Sequence, residues 1–327
     1  MHEFDLIAVI RDRCAATRED VRLGIGDDAA LLAVPAGHIL AVSTDTLVAG
    51  VHFQQGTSAF EVGWKSLAVN LSDLAAMGAT PAWATLALTL PDADVRWVRQ
   101  FADGFAALAG EFKLALVGGD TTQGPLSITV TVHGFVPDGA ALLRSGARVG
   151  DAVYVTGTLG DAAAGLRCLE RGQEVPAGSA TASVALRESL IERLQRPTPR
   201  VAQGLALRGR ASACIDISDG LAADLGHICS ASGVGAEIDV ESQPASSALF
   251  GFCDATTCHA LQLSGGDDYE LCFTAAEAQG PSLLGDLARS GCGATRIGRI
   301  VAGRGVSVRD ASGNPVVVLQ SGWEHFR

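Results

Sequence analysis

Two hydrophobic rhythms alternate along this chain. Short continuous apolar runs predict buried strands at Ile39–Ser43, Ala82–Leu90, Leu114–Val117 and Ser127–Phe135. Stretches with Ala, Leu, Val and Phe gathered on one helical face predict helices over Phe60–Met77 and Val95–Phe112. The alternation resumes after a turn-rich stretch, Val136 to Asp151. Beyond it, strands are predicted at Ala152–Thr156, Ala213–Ile217, Ala236–Val240, Glu270–Thr274 and Thr295–Ile300. Helices are predicted near Ala162–Leu169, Ser183–Leu194, Thr198–Leu207 and Leu221–Ser230. Interleaved helices and strands in both halves predict a mixed α/β (α+β) architecture. Pro137, Asp138, Gly139, Gly146 and Gly150 place a boundary between a domain of residues 1–140 and one of residues 150–327. A chain of 327 residues is long for one core, so two domains agree with its length.

The first residues, Met1 to Cys14, carry acidic and basic side chains among Phe4, Leu6, Ile7, Val9 and Ile10. That pattern fits an amphipathic helix and lacks the apolar stretch of a signal peptide. No run approaches the roughly 18 apolar residues of a spanning helix, so the expectation is a cytoplasmic protein without membrane attachment.

Composition sharpens this picture. With 48% hydrophobic and 18% charged residues the chain has the makings of globular cores. The formal charge of −12 and the absence of a basic run argue against a nucleic-acid groove, and they disfavour free polyphosphate as well. An anionic substrate must therefore arrive with a cation or meet local arginines. Lys65 and Lys113 are the only lysines, which leaves arginine as the default anion binder. The 8 cysteines follow no framework; Cys253, Cys258 and His259 lie close in sequence, but a second ligand pair for zinc is missing.

The candidate chemistry is acidic and punctuates the whole chain. Carboxylates stand among Gly, Ser and Thr at Asp27 and Asp28, Asp45, Asp73, Asp120, Asp216 and Asp219, and Asp267 and Asp268. Carboxylates beside hydroxyls and bare amides supply hard oxygen ligands and room for phosphate, which points to magnesium and a nucleotide. Gly24 to Ala29 fits the loose dinucleotide pattern Gly-x-Gly-x-x-Ala, yet two carboxylates there would face the pyrophosphate, and only an intervening cation reconciles them with it.

Several fragments admit two readings. Ser43-Thr44-Asp45-Thr46 is read as the end of a strand, a ligand position in α/β folds or simply a turn. Asn70 and Asp73 share a helical face and form either a hydrogen-bond network or a metal site. Gly118 and Gly119 ahead of Asp120 permit close approach of a phosphate, although Gly124-Pro125-Leu126 rules out a Walker loop. Asp216 and Ser218 fall on one side of a strand, and Asp219 opens the next helix as a ligand or as its N-cap. Arg144 is either a phosphate contact or a solvated linker residue, and Trp323 either stacks on a heterocycle or packs in a core. No nucleophile elbow, zinc-protease helix or kinase His-Arg-Asp loop occurs. The remaining set suits metal-positioned phosphoryl transfer.

Taken in order, these motifs resemble the thiamine-monophosphate kinase family: Gly-Ile-Gly-Asp-Asp-Ala-Ala, Ser-Thr-Asp-Thr-Leu-Val-x-Gly-Val-His-Phe, Asn-Leu-Ser-Asp-Leu-Ala-Ala-Met-Gly-Ala, Gly-Gly-Asp-Thr-Thr, Arg-Ser-Gly-Ala, Asp-Ile-Ser-Asp-Gly-Leu and Gly-Gly-Asp-Asp-Tyr-Glu-Leu. The resemblance runs from about Leu23 to Trp323. It implies two domains of the aminoimidazole ribonucleotide synthetase-like type and a homodimer paired through the sheet of the N-terminal domain. It also implies ATP-dependent phosphorylation of thiamine monophosphate to the diphosphate by direct in-line transfer, assisted by several magnesium ions. On the matching positions it assigns Asp28, Ser43, Thr44, Asp45, Asp73, Asp120, Asp216 and Asp219 to magnesium. It makes Asp45, Asp120 and Asp216 the residues on which catalysis rests. Gly119, Asp120, Arg144 and Ser218 are assigned to ATP, and His52, Asp267 and Trp323 to thiamine monophosphate. The family's spelling has Glu where this chain has Asp267. The alternatives are another ATP-dependent synthetase of the superfamily, which an early catalytic Cys or Lys would favour, or a non-catalytic Mg-ATP sensor.

Overall fold

The computed structural model describes residues 3–14, 16–170, 180–317 and 322. The chain divides into two units, Met1–Leu74 with Ala79–Ala141, and Ala75–Gly78 with Leu142–Arg327. The first contains α1 (Glu3–Arg13), β1 (Val21–Leu23), β2 (Leu31–Leu32), β3 (His38–Val48), most of α2 (Ala59–Ala76), β4 (Thr80–Leu90), α3 (Val95–Glu111), β5 (Ala115–Gln123) and β6 (Ser127–Pro137).

Its four-stranded sheet has the order β3-β6-β4-β5. Only β4 and β5 run parallel, because α3 connects them as a crossover, whereas the other neighbours are antiparallel. α3 forms where it does for local reasons. Asp94 accepts hydrogen bonds from the amides of Arg96 at 2.8 Å and Trp97 at 3.2 Å as the N-cap, and Val98, Phe101, Phe105 and Leu108 repeat at helical spacing and are fully buried.

Period-two alternation sorts the sheet into two faces. Leu47, Ile128 and Leu88 form one cross-strand row, and Asp45, Val130 and Leu86 form the next. The opposite face carries Thr46, Thr129 and Ala87 in one row and Thr44, Thr131 and Thr85 in another, with the threonine hydroxyls paired at 2.8 Å (Thr46 with Thr129) and 2.9 Å (Thr44 with Thr131). Val21, Ala30 and Leu32 pack against Trp83, Ala115 and Phe135, and Trp83 Nε1 donates to Asp20 at 3.0 Å.

The helical layer is fixed by contact without side chains. A Cβ on Gly63 of α2 would lie 2.0 Å from the carbonyl oxygen of Phe101, and one on Gly104 of α3 would lie 2.0 Å from that of Phe60. The two helices thus touch backbone to backbone at a reciprocal glycine contact.

The second unit contains β7 (Asp151–Thr156), α4 (Asp161–Glu170), α5 (Ala180–Gln195), α6 (Val201–Leu207), β8 (Ala213–Asp216), α7 (Leu221–Ser232) and β9 (Gly235–Asp239). It continues with α8 (Ser247–Phe252), α9 (Ala255–Ser264), β10 (Leu271–Ala276), α10 (Gly280–Arg289), β11 (Ala294–Val301), β12 (Gly305–Arg309) and β13 (Pro315–Val316). The sheet order is β13-β12-β9-β11-β7-β10-β8, antiparallel except for β12 beside β9. One apolar cluster joins α7 to the sheet through Leu221, Leu225, Ile228, Val153, Val155 and Ile215. Another gathers Ala164, Leu190, Leu249, Cys258 and Leu261 from α4, α5, α8 and α9.

Two strands run further than their apolar runs predict. β3 continues through Val48, because all of its residues pair with β6, so Asp45 lies inside a strand and not at its end. β5 continues to Gln123, so Asp120 is also within a strand. The Gly24–Ala29 segment is followed by β2 and β3, with no helix on which a dinucleotide pyrophosphate would rest. Helix α6 starts at Val201, later than predicted, since Pro197 and Pro199 cannot join a helical ladder here.

The reciprocal contact yields a contrast within α3. Gly104→Ala is expected to destabilise by about 1–3 kcal/mol through crowding, although alanine is the better helix former. Gly110→Ala, with nothing within 4 Å of its Cβ, is expected to be neutral or stabilising by up to about 1 kcal/mol. Thermal unfolding of both variants checks this, and equal midpoints would show that the helices are free to separate.

Candidate functional site

The acidic residues fall into two groups, one in each unit. In the first unit a polar seam interrupts an otherwise apolar layer. Ser43 Oγ on β3 donates to Asp73 Oδ2 on α2 at 2.5 Å, and the Asp45 amide donates to Asn70 Oδ1 at 3.1 Å. Asn70 is wholly buried and its Nδ2 donates to the Ser66 carbonyl at 2.9 Å, so both ends of the amide are satisfied. The shared helical face of Asn70 and Asp73 therefore meets the strand that carries Ser43 and Asp45.

Thr44 does not share that face. Its hydroxyl pairs with Thr131 on the opposite side of the sheet. Asp120 is exposed and lies in the cross-strand row of Ala87 and Thr129, again opposite to the row of Asp45. Asp28 is exposed in the loop ahead of β2, and its amide donates to Asp27 Oδ1 at 2.9 Å, which turns Asp27 onto the backbone. Among the described residues no group of three or more His, Cys, Asp or Glu side chains is close enough to hold a metal ion.

Gly119 is required by the fold. Its φ is +151°, and a Cβ there would lie 1.9 Å from the Leu86 carbonyl oxygen of β4. At Gly118 the nearest atom to such a Cβ is a Thr85 methyl at 3.8 Å, so this glycine leaves the backbone open to a ligand.

His52 sits just after β3. The Val48 amide donates to its Nδ1 at 3.0 Å, which places the proton of the neutral ring on Nε2. Buried Lys65 donates through Nζ to the His52 carbonyl at 3.3 Å and holds the turn that presents the imidazole.

In the second unit the chain leaves β8 at buried Asp216 and passes through Ser218 and Asp219 to Gly220, the N-cap of α7. Asp219 therefore does not cap the helix. Asp224, one turn into α7, satisfies these amides instead. Its Oδ2 accepts from the backbone N–H groups of Ser218, Asp219 and Gly220, each at 3.1 Å. Burial, followed by the charge of Asp219, pushes Asp224 up to about 7, against three N–H donors that favour the anion.

The late motif docks on the same turn. The Asp267 amide donates to the Ser218 carbonyl, the Tyr269 amide to the Ile217 carbonyl and the Ile217 amide to the Glu270 carbonyl, each at 2.8 Å. The structure thereby gathers Asp216, Ser218, Asp219 and Asp267. Arg144 is exposed in the loop before β7, where its carbonyl accepts from Ser232 Oγ at 3.4 Å. Trp323 lies outside the described residues.

Behind the motif, fully buried Glu270 takes a bidentate pair from Arg200 (Nε at 2.6 Å, Nη2 at 2.5 Å), Arg193 Nη2 at 2.9 Å and Thr156 Oγ1 at 2.7 Å. Buried Asp268 accepts the Gly160 amide at 2.8 Å, and desolvation holds its carboxyl well above the usual carboxylate range. The motifs assign no role to Asp224, Glu270 or Tyr269, although Tyr269 and Glu270 stand in the late motif and Glu270 opens a predicted strand. A charged residue opening an apolar run, as Glu270 does before Leu271, was the available signal.

Comparison with known proteins gives this geometry a lineage. The family model described as AIR synthase related protein, N-terminal domain, matches residues 26–136, and that for the C-terminal domain matches residues 148–311. The chain is 50% identical over 326 residues to the thiamine-monophosphate kinase of Salmonella typhimurium, which covers 99% of this chain and 98% of that protein. A solved structure of thiamine-monophosphate kinase from Stenotrophomonas maltophilia superposes with a TM-score of 0.87 at 52% identity, over 97% of this chain and 98% of that one. AaThiL complexed with AMPPCP and TMP superposes with a TM-score of 0.77 at 35% identity, over 99% and 97% of the two chains.

The Asp224 cradle is directly testable. Asp224→Ala leaves three amides without their acceptor, and a loss of about 1–3 kcal/mol is expected. Hydrogen exchange at Ser218, Asp219 and Gly220 should accelerate well beyond that in β10. Unchanged protection of those amides would show that the turn is held by something else.

Proposed function

This chain belongs to the thiamine-monophosphate kinases of the AIR synthase related family, and on that premise we propose that it transfers the γ-phosphoryl group of ATP to thiamine monophosphate. The products are thiamine diphosphate and ADP. Similarity along almost the whole chain to kinases of that name carries this reading.

A phosphate oxygen of the acceptor attacks the γ-phosphorus in line with the bond to the bridging oxygen, which breaks and leaves with ADP. The acceptor's monoester is already largely ionised near neutral pH, so a strong general base is unnecessary. What the protein must supply is position and relief of repulsion between two anions.

Asp28, Ser43, Thr44, Asp45, Asp73 and Asp120 in the first unit, with Asp216 and Asp219 in the second, are the proposed magnesium ligands. These donors are all oxygen, the ligand type that magnesium takes alongside water and substrate phosphate oxygens. When bound, magnesium neutralises charge on the phosphoryl oxygens.

The chain's own groups do the rest. Gly119 and Asp120, with Arg144 and Ser218, are proposed to meet ATP; the exposed guanidinium of Arg144 offers a planar fork to phosphate. The Asp224 cradle fixes the turn bearing Ser218 and Asp219, so these groups need no reorganisation when nucleotide binds. His52, with its Nε2 proton, is proposed to donate to the acceptor's phosphate. Asp267 and Trp323 are proposed to face its organic part.

We further propose a homodimer formed through the sheet of the first unit. β3 is an edge strand, with Leu40 42% and Val42 54% exposed beside the threonine rows, a surface that a second copy would cover. No helix among the described residues is long and apolar enough to cross a membrane. All 8 cysteines are free thiols, which fits the reducing cytoplasm where we place the reaction.

Phosphorus NMR of the full chain with Mg-ATP separates the alternatives. A diphosphate signal matched by ADP is expected with thiamine monophosphate and absent with unphosphorylated thiamine or no acceptor. Nucleotide binding without turnover would mark a sensor, and turnover only with another superfamily substrate would reassign the acceptor. Asp45→Asn and Asp120→Asn are each expected to lower kcat by about 100-fold with unchanged thermal midpoints. Wild-type rates at limiting magnesium in either variant would remove that residue from the ligand set. Sedimentation is expected to report a dimer for the wild type and a monomer for Val42→Lys; a wild-type monomer, or an unshifted variant, would count against pairing through this face.

A further inference from the structure

The late acidic motif contains a conformation that phosphate chemistry does not explain. Asp267 has φ +68° and Tyr269 has φ +50°, two non-glycine residues in the left-handed region within three positions. L side chains rarely adopt this backbone, and it persists where the surroundings over-determine it. Here they do: the amides of Asp267 and Tyr269 are bonded to the β8–α7 connection, and the Asp268 side chain between them is bonded to the Gly160 amide.

This doubly strained turn brings two side chains together. Tyr269 Oη donates to Asp267 Oδ1 at 3.0 Å. The tyrosine is only 8% exposed and Asp267 is half-buried, so the phenol ring is anchored in the core while its tip reaches a carboxylate at the surface of the site. The hydrogen bond favours the rotamer of Asp267 that accepts it.

We propose that Tyr269 is a positioning residue for the acceptor: its hydroxyl selects one orientation of the Asp267 carboxylate, which then faces the cationic, amino-bearing heterocycles of thiamine monophosphate. The proposal rests on the kinase reading above. Tyr269 itself touches no reacting atom and acts through Asp267. The hydrogen bond sets the direction of a negative charge, and the strained backbone sets where that charge begins. Loss of the hydroxyl therefore weakens capture of the acceptor and leaves ATP and the transfer step as they were.

A double-mutant cycle on the full chain tests this, with thiamine monophosphate varied at saturating Mg-ATP. Tyr269→Phe keeps the ring and removes only the donor. The expected result is about a tenfold rise in KM for thiamine monophosphate, with kcat, AMPPCP affinity and the thermal midpoint close to wild type. In an Asp267→Ala background, Tyr269→Phe should have no further effect on kcat/KM, because the group it orients is gone. An unchanged KM in the single variant, or an undiminished effect in the Asp267→Ala background, would overturn the proposal. So would loss of AMPPCP binding together with a lowered midpoint, which would assign Tyr269 to the fold alone. If the wild type itself releases no ADP with thiamine monophosphate, the kinase reading fails first and this inference fails with it.

Discussion

The second unit's acidic site depends on one carboxylate accepting three consecutive amides. Asp224 reaches back from the first turn of α7 to Ser218, Asp219 and Gly220, and those bonds convert a loose connection after β8 into a fixed turn. Everything else attaches to that turn: the Asp267 amide bonds to Ser218, and the strand partner of Asp216 is Leu271, which follows Glu270. Burial first, and the neighbouring charge of Asp219 after it, make Asp224 hold its proton more tightly than an ordinary aspartate. Carboxylates gathered around one turn must be supported, and here backbone amides and arginines supply the support.

The first unit solves the same problem differently. Its acids are spread over both faces of a sheet and one helix, with Ser43, Asn70 and Asp73 forming a satisfied hydrogen-bonded seam. Asn70, buried with both ends of its amide satisfied, needs no metal to stay there, so it belongs to the fold before any ligand arrives. Charge dispersed in this way lowers mutual repulsion among the acids of a chain whose net charge is −12.

Much of the architecture was legible because hydrophobic periodicity is local. α2, α3, β4 and β6 lie where the apolar pattern puts them, since each is long and buried on a defined face. The polar ends of β3 and β5 were not legible: Ser43 to Thr46 and Gly118 to Thr122 have turn composition, and only their pairing with β6 and β4 makes them strand. The same limit applied to α8 and α9, short helices whose apolar residues join a cluster assembled by distant segments. The acidic motifs could be read as oxygen-donor sites from composition alone. Their supports could not, because Asp224, Arg200 and Tyr269 act across turns and long sequence separations.

The glycine contact between α2 and α3 reaches further than the stability of the layer. α2 carries Gly63 at one end and Asn70 and Asp73 towards the other, so the point where the helices touch also sets which way the seam faces. Removing one residue between Gly63 and Asp73 would keep the crossing and rotate everything beyond it by about 100°, carrying the carboxylate away from β3. An insertion or deletion in that interval would therefore turn the seam away from β3 even where exchanges of single residues leave it in place: what the seam depends on is a distance along the chain.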